Sequence, residues 1–168
     1  MAEAAGPNVG VVFDTGNPFA VGEDPVAFAR RAAHRIRHVH LKDYRAQFTD
    51  EGYRLVRCAI GDGSVPFADL VRVLSQHHER MTASIEPGAL EARHIRLFTP
   101  EWWRGYPPRD ATELAAAIGR LRARRIGDDE VCATPWERGA APREIVEFEL
   151  AQVRRSVDNM KAFDRGTR

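Results

Sequence analysis

The chain has 168 residues, 43% of them hydrophobic, and a formal net charge of +1 at pH 7. A chain of this length buries one hydrophobic core, and its near-neutral charge excludes a bulk electrostatic attraction to nucleic acid or anionic membranes. Its two cysteines, Cys58 and Cys132, form neither a disulfide framework nor a CxxC pair, and we find no signal-peptide pattern and no long apolar run. We therefore expect a cytoplasmic protein with no nucleic-acid or membrane partner.

The first predicted strand is residues 8–14, NVGVVFD, a nearly continuous apolar run that ends at Asp14. Such a run is typical of a strand that is covered on both faces in a parallel sheet. After a loop, Asp24 is expected to cap a helix that begins at Pro25, because proline is favoured at the first helical position. A strand followed by a helix is therefore predicted here.

The second predicted strand is IRHVHL, residues 36–41. His38 and His40 are two positions apart, so their side chains lie on the same face of the strand. Because His38 shares its face with a better ligand candidate, we interpret it as a packed interior histidine. Lys42 and Asp43 follow at the carboxyl end of the strand, where α/β proteins place their functional residues, and they are either a solvated pair or part of a site.

Residues 43–63 are predicted as a long polar loop, and residues 66–78 as a helix with apolar side chains at helical spacing. The third strand, residues 81–86, ends at Glu86. Strands that alternate with helices in this way predict an α/β protein with a parallel sheet. Because the carboxyl ends of such strands meet at one edge, we expect the ionisable residues that end the three strands to converge.

After the third predicted strand, the chain contains a segment rich in aromatic residues and prolines. Residues 96–110, RLFTPEWWRGYPPRD, are predicted as an aromatic loop. One helix is expected to begin after Asp110, with a capping-box-like start, and a second from about Arg143. We therefore divide the chain into βα units at residues 1–96 and an aromatic loop with a helical extension, packed on those units, at residues 97–168.

Four short motifs occur in a fixed order: FDTGN around Asp14, HVHLKD around His40, the turn AIGDG, and SIEPG around Glu86. In this order and spacing, residues 8–88 resemble the sugar phosphate isomerase/epimerase superfamily, the xylose isomerase-like TIM barrels. The similarity is to the sixth, seventh and eighth strands of that barrel. The fold that it implies is α/β, a partial (β/α)8 TIM barrel of about three C-terminal βα units with a C-terminal helical extension.

The resemblance implies a divalent metal ion bound by four residues at the C-terminal face of the barrel. Asp14, His40 and Glu86 match three of these ligands, whereas the fourth, a glutamate on the preceding strand, has no counterpart. Oxygen-rich ligation with one imidazole suits Mn²⁺, Mg²⁺ or Co²⁺ better than a structural zinc, although Zn²⁺ stays an alternative.

The resemblance also implies substrate-binding and catalytic roles. Arg57 corresponds to an arginine that contacts substrate oxygens, although a surface arginine is an alternative reading. Asn17 stands where many members carry a histidine and can donate hydrogen bonds to substrate, and Lys42 is a third candidate. Glu86 is the expected acid/base for a reaction on a small sugar, keto-sugar or sugar acid through an enediolate intermediate. Isomerisation, epimerisation, decarboxylation and dehydration remain open.

Two departures from the family limit these expectations. Leu55 and Arg57 occupy the places where endonuclease IV members carry extra zinc ligands, so a DNA-repair site is not expected. A complete barrel needs about 250 residues, and three parallel strands alone would expose an unpaired edge. We therefore expect truncation at the N-terminus or a partner that completes the sheet, such as a second copy in a homo-oligomer. The rival reading is a non-catalytic fragment or assembly subunit.

Overall fold

Residue 6, residues 8–88 and residues 90–166 are described in a computed structural model of the chain, with side chains up to residue 163. The strands are β1 (Val11–Asp14), β2 (Ile36–Leu41), β3 (Asp43–Thr49), β4 (Gly52–Cys58), β5 (Thr82–Ile85) and β6 (Arg93–Ile95). The α-helices are α1 (Asn17–Ala20), α2 (Pro25–Ala32), α3 (Phe67–Ser75), α4 (Ala111–Ala123) and α5 (Pro142–Gly166). Two short 3-10 segments lie at Ala33–Arg35 and Pro100–Trp103.

The predicted parallel sheet is confirmed, with the strand order β1-β2-β5. In its register, Asp14 lies opposite His40, and His40 lies opposite Ser84. The Asp24 carboxylate accepts hydrogen bonds from the first turn of α2, as the sequence predicts. The fold is therefore α/β, and the described residues form part of a barrel sheet without closing it.

The two faces of this sheet differ in their burial. Phe13 and Val39 are buried in the core on the face that α2 and α3 cover. The opposite face carries Val12, which is 56% exposed, and the polar side chains of β2 and β5. In a closed barrel this second face would be the interior.

The prediction of a long loop at residues 43–63 is wrong in its first part, because β3 and β4 form an antiparallel hairpin. Buried Tyr44 and Ala46 alternate with polar residues along β3, which is the period of a strand with one solvated face. In the sequence, the polar residues at the alternate positions made this segment resemble a loop. Gly52 allows the turn because its φ of 153° strains other residues, and a side chain there would strike the backbone of Ile95.

Strand β6 joins the hairpin in a second sheet of order β3-β4-β6. The first residue of β3 follows Lys42, so this antiparallel sheet grows out of the carboxyl end of β2. Thr15 fixes the junction, since its hydroxyl donates to the Lys42 carbonyl at 2.7 Å and accepts from the Lys42 backbone N–H at 2.9 Å. The hairpin therefore lies beside the strand ends of the parallel sheet.

The two predicted C-terminal helices are present, and the Asp110 side chain caps α4 by accepting from the Glu113 N–H. In α5, the Ser156 hydroxyl accepts from the Ile60 N–H, and Asn159 donates to the Ile60 carbonyl, so this helix packs on the loop that follows β4. The division of the chain at residues 96 and 97 stays a prediction. Within the described residues, no helix combines the length and apolar character that crossing a bilayer requires.

Candidate active site

The three predicted metal ligands lie together. One ligand atom from each of Asp14, His40 and Glu86 lies within 4.8 Å of the other two. The register explains the convergence, because Asp14 ends β1 opposite His40, and the Glu86 N–H continues the β2 ladder by donating to the Leu41 carbonyl. This cluster is the candidate site.

Asp14 is held by the turn that follows it. Its Oδ1 accepts hydrogen bonds from the backbone N–H groups of Gly16 and Asn17, at 3.0 and 2.9 Å. This leaves Oδ2 directed to the Nζ of Lys42, at 2.7 Å. The carboxylate therefore has a fixed orientation before any ligand binds.

Lys42 occupies the centre of the cluster and is not a solvated surface residue. Its side chain is only 6% exposed, and its Nζ also lies 2.8 Å from Oε1 of Glu86. Burial acts to lower the pKa of Lys42, but hydrogen bonds to Asp14 and Glu86 outweigh burial and raise it above the ordinary value. The residue is therefore an ammonium ion that bridges two carboxylates.

Asp43 turns away from Lys42, so the alternative of a solvated ion pair between them is wrong. Its buried carboxylate accepts from the backbone N–H groups of Tyr44, Gly61, Gly63 and Val65. Burial raises the pKa of Asp43 to about 6 although these four donors act to lower it. Asp43 thus fixes the Gly-x-Gly turn of the sequence motif to the start of β3.

Glu86 is contacted by basic side chains from several sides. Besides Lys42, the His40 Nδ1 lies 3.2 Å from Oε2, and the Arg57 Nη2 lies 3.7 Å from Oε1. The hydrogen bond from Lys42 is the main cause of a lowered pKa for Glu86, with Arg57 and His40 contributing. Glu86 is therefore ionised at neutral pH and able to accept a proton.

Arg57 lies at the site, as the resemblance implies. Its Nη1 donates to the Pro87 carbonyl at 2.8 Å, directly after Glu86. A Cβ at position 88 would strike this guanidinium, so Gly88 provides the space that Arg57 fills. The arginine is thereby tied to the loop that carries Glu86.

Asn17 is exposed, and its side chain oxygen accepts a hydrogen bond from Nη1 of Arg93 at 3.3 Å. Arg93, in β6, was missed by the sequence analysis. A strand of three residues carries too little periodicity to be found, and its contact with Asn17 spans 76 residues of sequence. The signal that could have found it is the SIEPG motif, because Arg93 follows the site glutamate by a short loop.

His38 lies outside the ligand group. Its ring nitrogens are hydrogen-bonded with the hydroxyls of Thr82, at 2.8 Å, and Ser84, at 3.0 Å. Its ring stands edge-on to that of His40, with 5.4 Å between the centroids. This pairing with β5 agrees with a structural histidine on the interior face of the sheet.

The donor set of the cluster fits a divalent ion. Two carboxylates and one imidazole within 4.8 Å form an oxygen-rich set of the kind that Mn²⁺ and Mg²⁺ accept. The Nζ of Lys42 contacts one oxygen of each of these carboxylates. Within the described residues this group has no fourth acidic member.

A family model described as xylose isomerase-like TIM barrel matches residues 1–95. The chain belongs to this family. The resemblance predicted from the four motifs is confirmed, and the partial barrel sheet agrees with it. Members of the xylose isomerase-like TIM barrel family therefore provide the comparison for the site.

Several curated proteins are similar to part of this chain. Inosose dehydratase of Clostridium botulinum (strain Alaska E43 / Type E3) is 33% identical over 79 residues, which cover 40% of this chain and 26% of that protein. Inosose dehydratase of Lacticaseibacillus casei is 44% identical over 46 residues, covering 27% and 15%. The rhizopine catabolism protein MocC of Rhizobium meliloti is 33% identical over 87 residues, covering 45% and 27%. The chain thus spans about a quarter or less of the length of these relatives.

Proposed function

We propose that this chain carries the metal-binding and proton-transfer part of a divalent-metal-dependent sugar isomerase/epimerase-like active site. The substrate is a small sugar, keto-sugar or sugar acid, and the reaction passes through an enediolate. The observation that carries the proposal is the convergence of Asp14, His40 and Glu86 around a buried ammonium group. Water would screen the charges of a surface cluster, so such a cluster would not need a buried lysine. The side chain of Lys42 is only 6% exposed.

Asp14, His40 and Glu86 would hold the metal ion, which we expect to be Mn²⁺, Mg²⁺ or Co²⁺, with Zn²⁺ as an alternative. A divalent ion bound there supplies Lewis acidity that stabilises negative charge on a neighbouring substrate oxygen. The backbone donors on Asp14 and the register between β1 and β2 fix the ligands in advance. This preorganisation is what a metal site requires.

Glu86 is the acid/base of the proposed reaction. Its lowered pKa keeps it ionised, so it can take the proton from the carbon next to the substrate carbonyl and return it to a neighbouring position. Lys42 and Arg57 present cationic donors beside it, where they would hold substrate oxygens on which charge develops. Asn17 lies at the rim and can contribute one further donor.

Dehydration is a second candidate for the same site, favoured by the inosose dehydratases among the relatives. It begins with the same removal of a proton by Glu86. The electron pair of the broken C–H bond then expels the hydroxyl group of the next carbon. This hydroxyl is protonated and leaves as water. The ammonium of Lys42 is the nearest acid for that step, at 2.8 Å from Glu86.

The proposed assembly follows from the open sheet. Among the described residues, β1 and β5 each have one unpaired edge, and the interior face is exposed. Further barrel strands or a second copy of the chain would cover these groups. The alternative of a non-catalytic assembly subunit rests on the same observation, and only activity separates the two.

The test is deuterium exchange into candidate sugars in D₂O with Mn²⁺ present, followed by NMR. We expect exchange at the carbon next to the carbonyl with the unmutated chain and none with Glu86→Gln. The matched control is Glu91→Gln, an exposed residue outside the cluster, which should exchange normally. Exchange at the normal rate in Glu86→Gln would contradict the role of Glu86. Failure of the unmutated chain on every sugar would favour the assembly subunit.

A further inference from the structure

We propose that helix α5 pairs in parallel with α5 of a second copy of this chain. The contact surface, which we call the α5 stripe, consists of four apolar side chains: Val146, Leu150, Val153 and Val157. The inference is independent of the proposed function, because α5 lies outside residues 1–95, which the family model matches.

The α5 stripe has the spacing of a coiled-coil seam. Its members follow one another at intervals of four, three and four residues, so they lie along one side of the helix and fit the a and d positions of a heptad. Val146 and Leu150 are 51% and 48% exposed although both are apolar. Val153 and Val157 are half-buried and lie outside the hydrophobic core of the described residues. The stripe is therefore an apolar surface that a second helix can cover.

The two flanks of the α5 stripe differ in what they contact. The inner flank consists of Glu149, Ser156 and Phe163, and the outer flank consists of Glu147, Arg154 and Lys161. On the inner flank, buried Ser156 accepts a hydrogen bond from the Ile60 N–H, and Phe163 lies 6.3 Å from Phe67 between ring centroids. All three residues of the outer flank are exposed. The body of the chain therefore lies on the inner-flank side of α5.

The position of the body determines the direction of the pair. In a parallel pair, the inner flank of one helix meets the outer flank of the other, so the two bodies lie on opposite sides of the helix pair. In an antiparallel pair, the two inner flanks meet, and both bodies would collide on one side. The two-fold axis of a parallel pair runs along the helices, so each residue of the stripe contacts its own counterpart.

The charges of the two flanks are complementary in the parallel pair. Glu149 occupies a g position, which contacts the e position five residues later on the other helix, and that position is Arg154. Symmetry repeats this contact, so each pair of helices has two such ion pairs. Within the described part of the chain, Arg154 is exposed and forms no ion pair of its own. The surface is therefore self-complementary, which favours a second copy over an unrelated partner.

The first test is cysteine cross-linking of the full chain by copper–phenanthroline oxidation, followed by gel electrophoresis without reductant. Val146→Cys and Val153→Cys should each give a disulfide-linked dimer, because both residues meet their own counterparts in a parallel pair. An antiparallel pair would cross-link at most one of them, since only one point along the helix can lie opposite itself. Asp158→Cys, exposed on α5 outside the stripe and its flanks, is the matched control. The unmutated chain shows what Cys58 and Cys132 contribute.

The second test is sedimentation equilibrium of variants with altered flank charges. The chain also carries Val12→Lys, which suppresses association through the open edge of β1. We expect a dimer with a Kd of roughly 10–100 µM, since a contact of less than two heptads is small. Arg154→Glu should weaken it roughly tenfold, because acidic groups then face one another twice in each dimer. Addition of Glu149→Arg to this variant should restore the affinity, since the opposite charges are then exchanged.

The control for charge reversal is Arg124→Glu, which changes the net charge equally at an exposed position outside α5 and should dimerise normally. Circular dichroism checks that each variant keeps its helix content. A monomer at all concentrations, stripe cross-linking no greater than that of Asp158→Cys, or unchanged affinity in Arg154→Glu would overturn the proposal. Cross-linking at only one stripe position would also overturn it, because the pair would then be antiparallel. None of these measurements needs a metal ion or a sugar, so the proposed function stands or fails separately.

Discussion

Lys42 lies inside the cluster of Asp14, His40 and Glu86, which we propose as metal ligands. Its ammonium group is buried and lies 2.7 and 2.8 Å from the carboxylates of Asp14 and Glu86. A buried cation balances two acidic groups that would otherwise repel one another. In the proposed reaction, the same residue would hold a substrate oxygen while a bound metal ion balances part of the carboxylate charge.

Substitution of Lys42 by Met should therefore destabilise the chain and increase its response to metal. We expect the free energy of unfolding to fall by roughly 2 kcal/mol, because a partner of a largely buried ion pair is removed while Glu86 stays partly solvated. Mn²⁺ should raise the Tm of Lys42→Met more than that of the unmutated chain, since it replaces the lost charge.

The measurement is thermal unfolding followed by circular dichroism, with and without Mn²⁺. The control is Arg72→Met, which removes an exposed i,i+3 ion pair on α3 and should change stability little. Equal stability of Lys42→Met and the unmutated chain would show that the buried ammonium group does not balance the two carboxylates.

At the scale of elements, the turn at residues 61–65 connects the hairpin to the site. Asp43 accepts hydrogen bonds from three of its backbone N–H groups. In α5, Asn159 donates to the Asp62 carboxylate of this turn, and Ser156 and Asn159 also hold the preceding residue, Ile60. This turn therefore fixes the antiparallel sheet, with Arg57 and Arg93, beside the parallel sheet that carries Asp14 and His40.

The close fit of this turn predicts a large effect for Gly63→Ala. A Cβ at Gly63 would strike the Asp43 carboxylate and the Tyr44 carbonyl, and the backbone cannot move aside cheaply. We expect a loss of about 2–4 kcal/mol in the free energy of unfolding, measured by urea titration.

Gly119→Ala is the matched control for this prediction. Gly119 lies inside α4 with nothing near its missing Cβ, so alanine there should stabilise the chain by roughly 0.5–1 kcal/mol. If both variants changed stability by the same amount, the packing of Asp43 against Gly63 would not be a structural constraint.

At the scale of the whole molecule, the parallel sheet has an open side. Val9, which precedes β1, and Val12, in β1, are 41% and 56% exposed. Next to them is a groove of about 270 Å³ whose lining includes Phe13 and Phe28. Apolar side chains beside an unpaired strand edge form a surface on which another strand or chain can pack.

We therefore predict that the chain self-associates in solution and that Val12→Lys weakens the association. The measurement is size-exclusion chromatography with light scattering over a range of concentrations. Val131→Lys is the control, because Val131 is 83% exposed but lies outside this groove. A monomer at all concentrations, or equal association of the two variants, would contradict the prediction.

The sequence predicted the parallel strands and their convergence because both depend on local signals. Apolar runs that end at Asp14, His40 and Glu86 are visible along the chain, and the rule that parallel strands end at one edge brings them together. The hairpin could not be found in the same way, because polar residues on its outer face resemble a loop. Arg93 depends on a strand pairing that is distant in sequence and too short to predict.

The partners of individual side chains were also beyond the sequence. Lys42 and Asp43 are adjacent and oppositely charged, so the sequence left open whether they form a solvated pair or belong to a site. Alternation in an extended chain directs adjacent side chains to opposite faces, so Lys42 meets the carboxylates while Asp43 meets the turn. The convergence of Asp14, His40 and Glu86 was thus predictable, whereas the position of the Lys42 ammonium between the two carboxylates required the structure.

Mn²⁺ binding is the most direct test of the central claim that Asp14, His40 and Glu86 form one metal site. Free Mn²⁺ is counted by electron paramagnetic resonance in titrations of the unmutated chain and of Asp14→Asn and His40→Gln. We expect saturable binding of one ion per chain, weakened at least about tenfold in each variant. The matched controls, Asp69→Asn and His94→Gln, alter residues outside the cluster and should bind normally. Binding that does not saturate, or that is equal in all five proteins, would contradict the account.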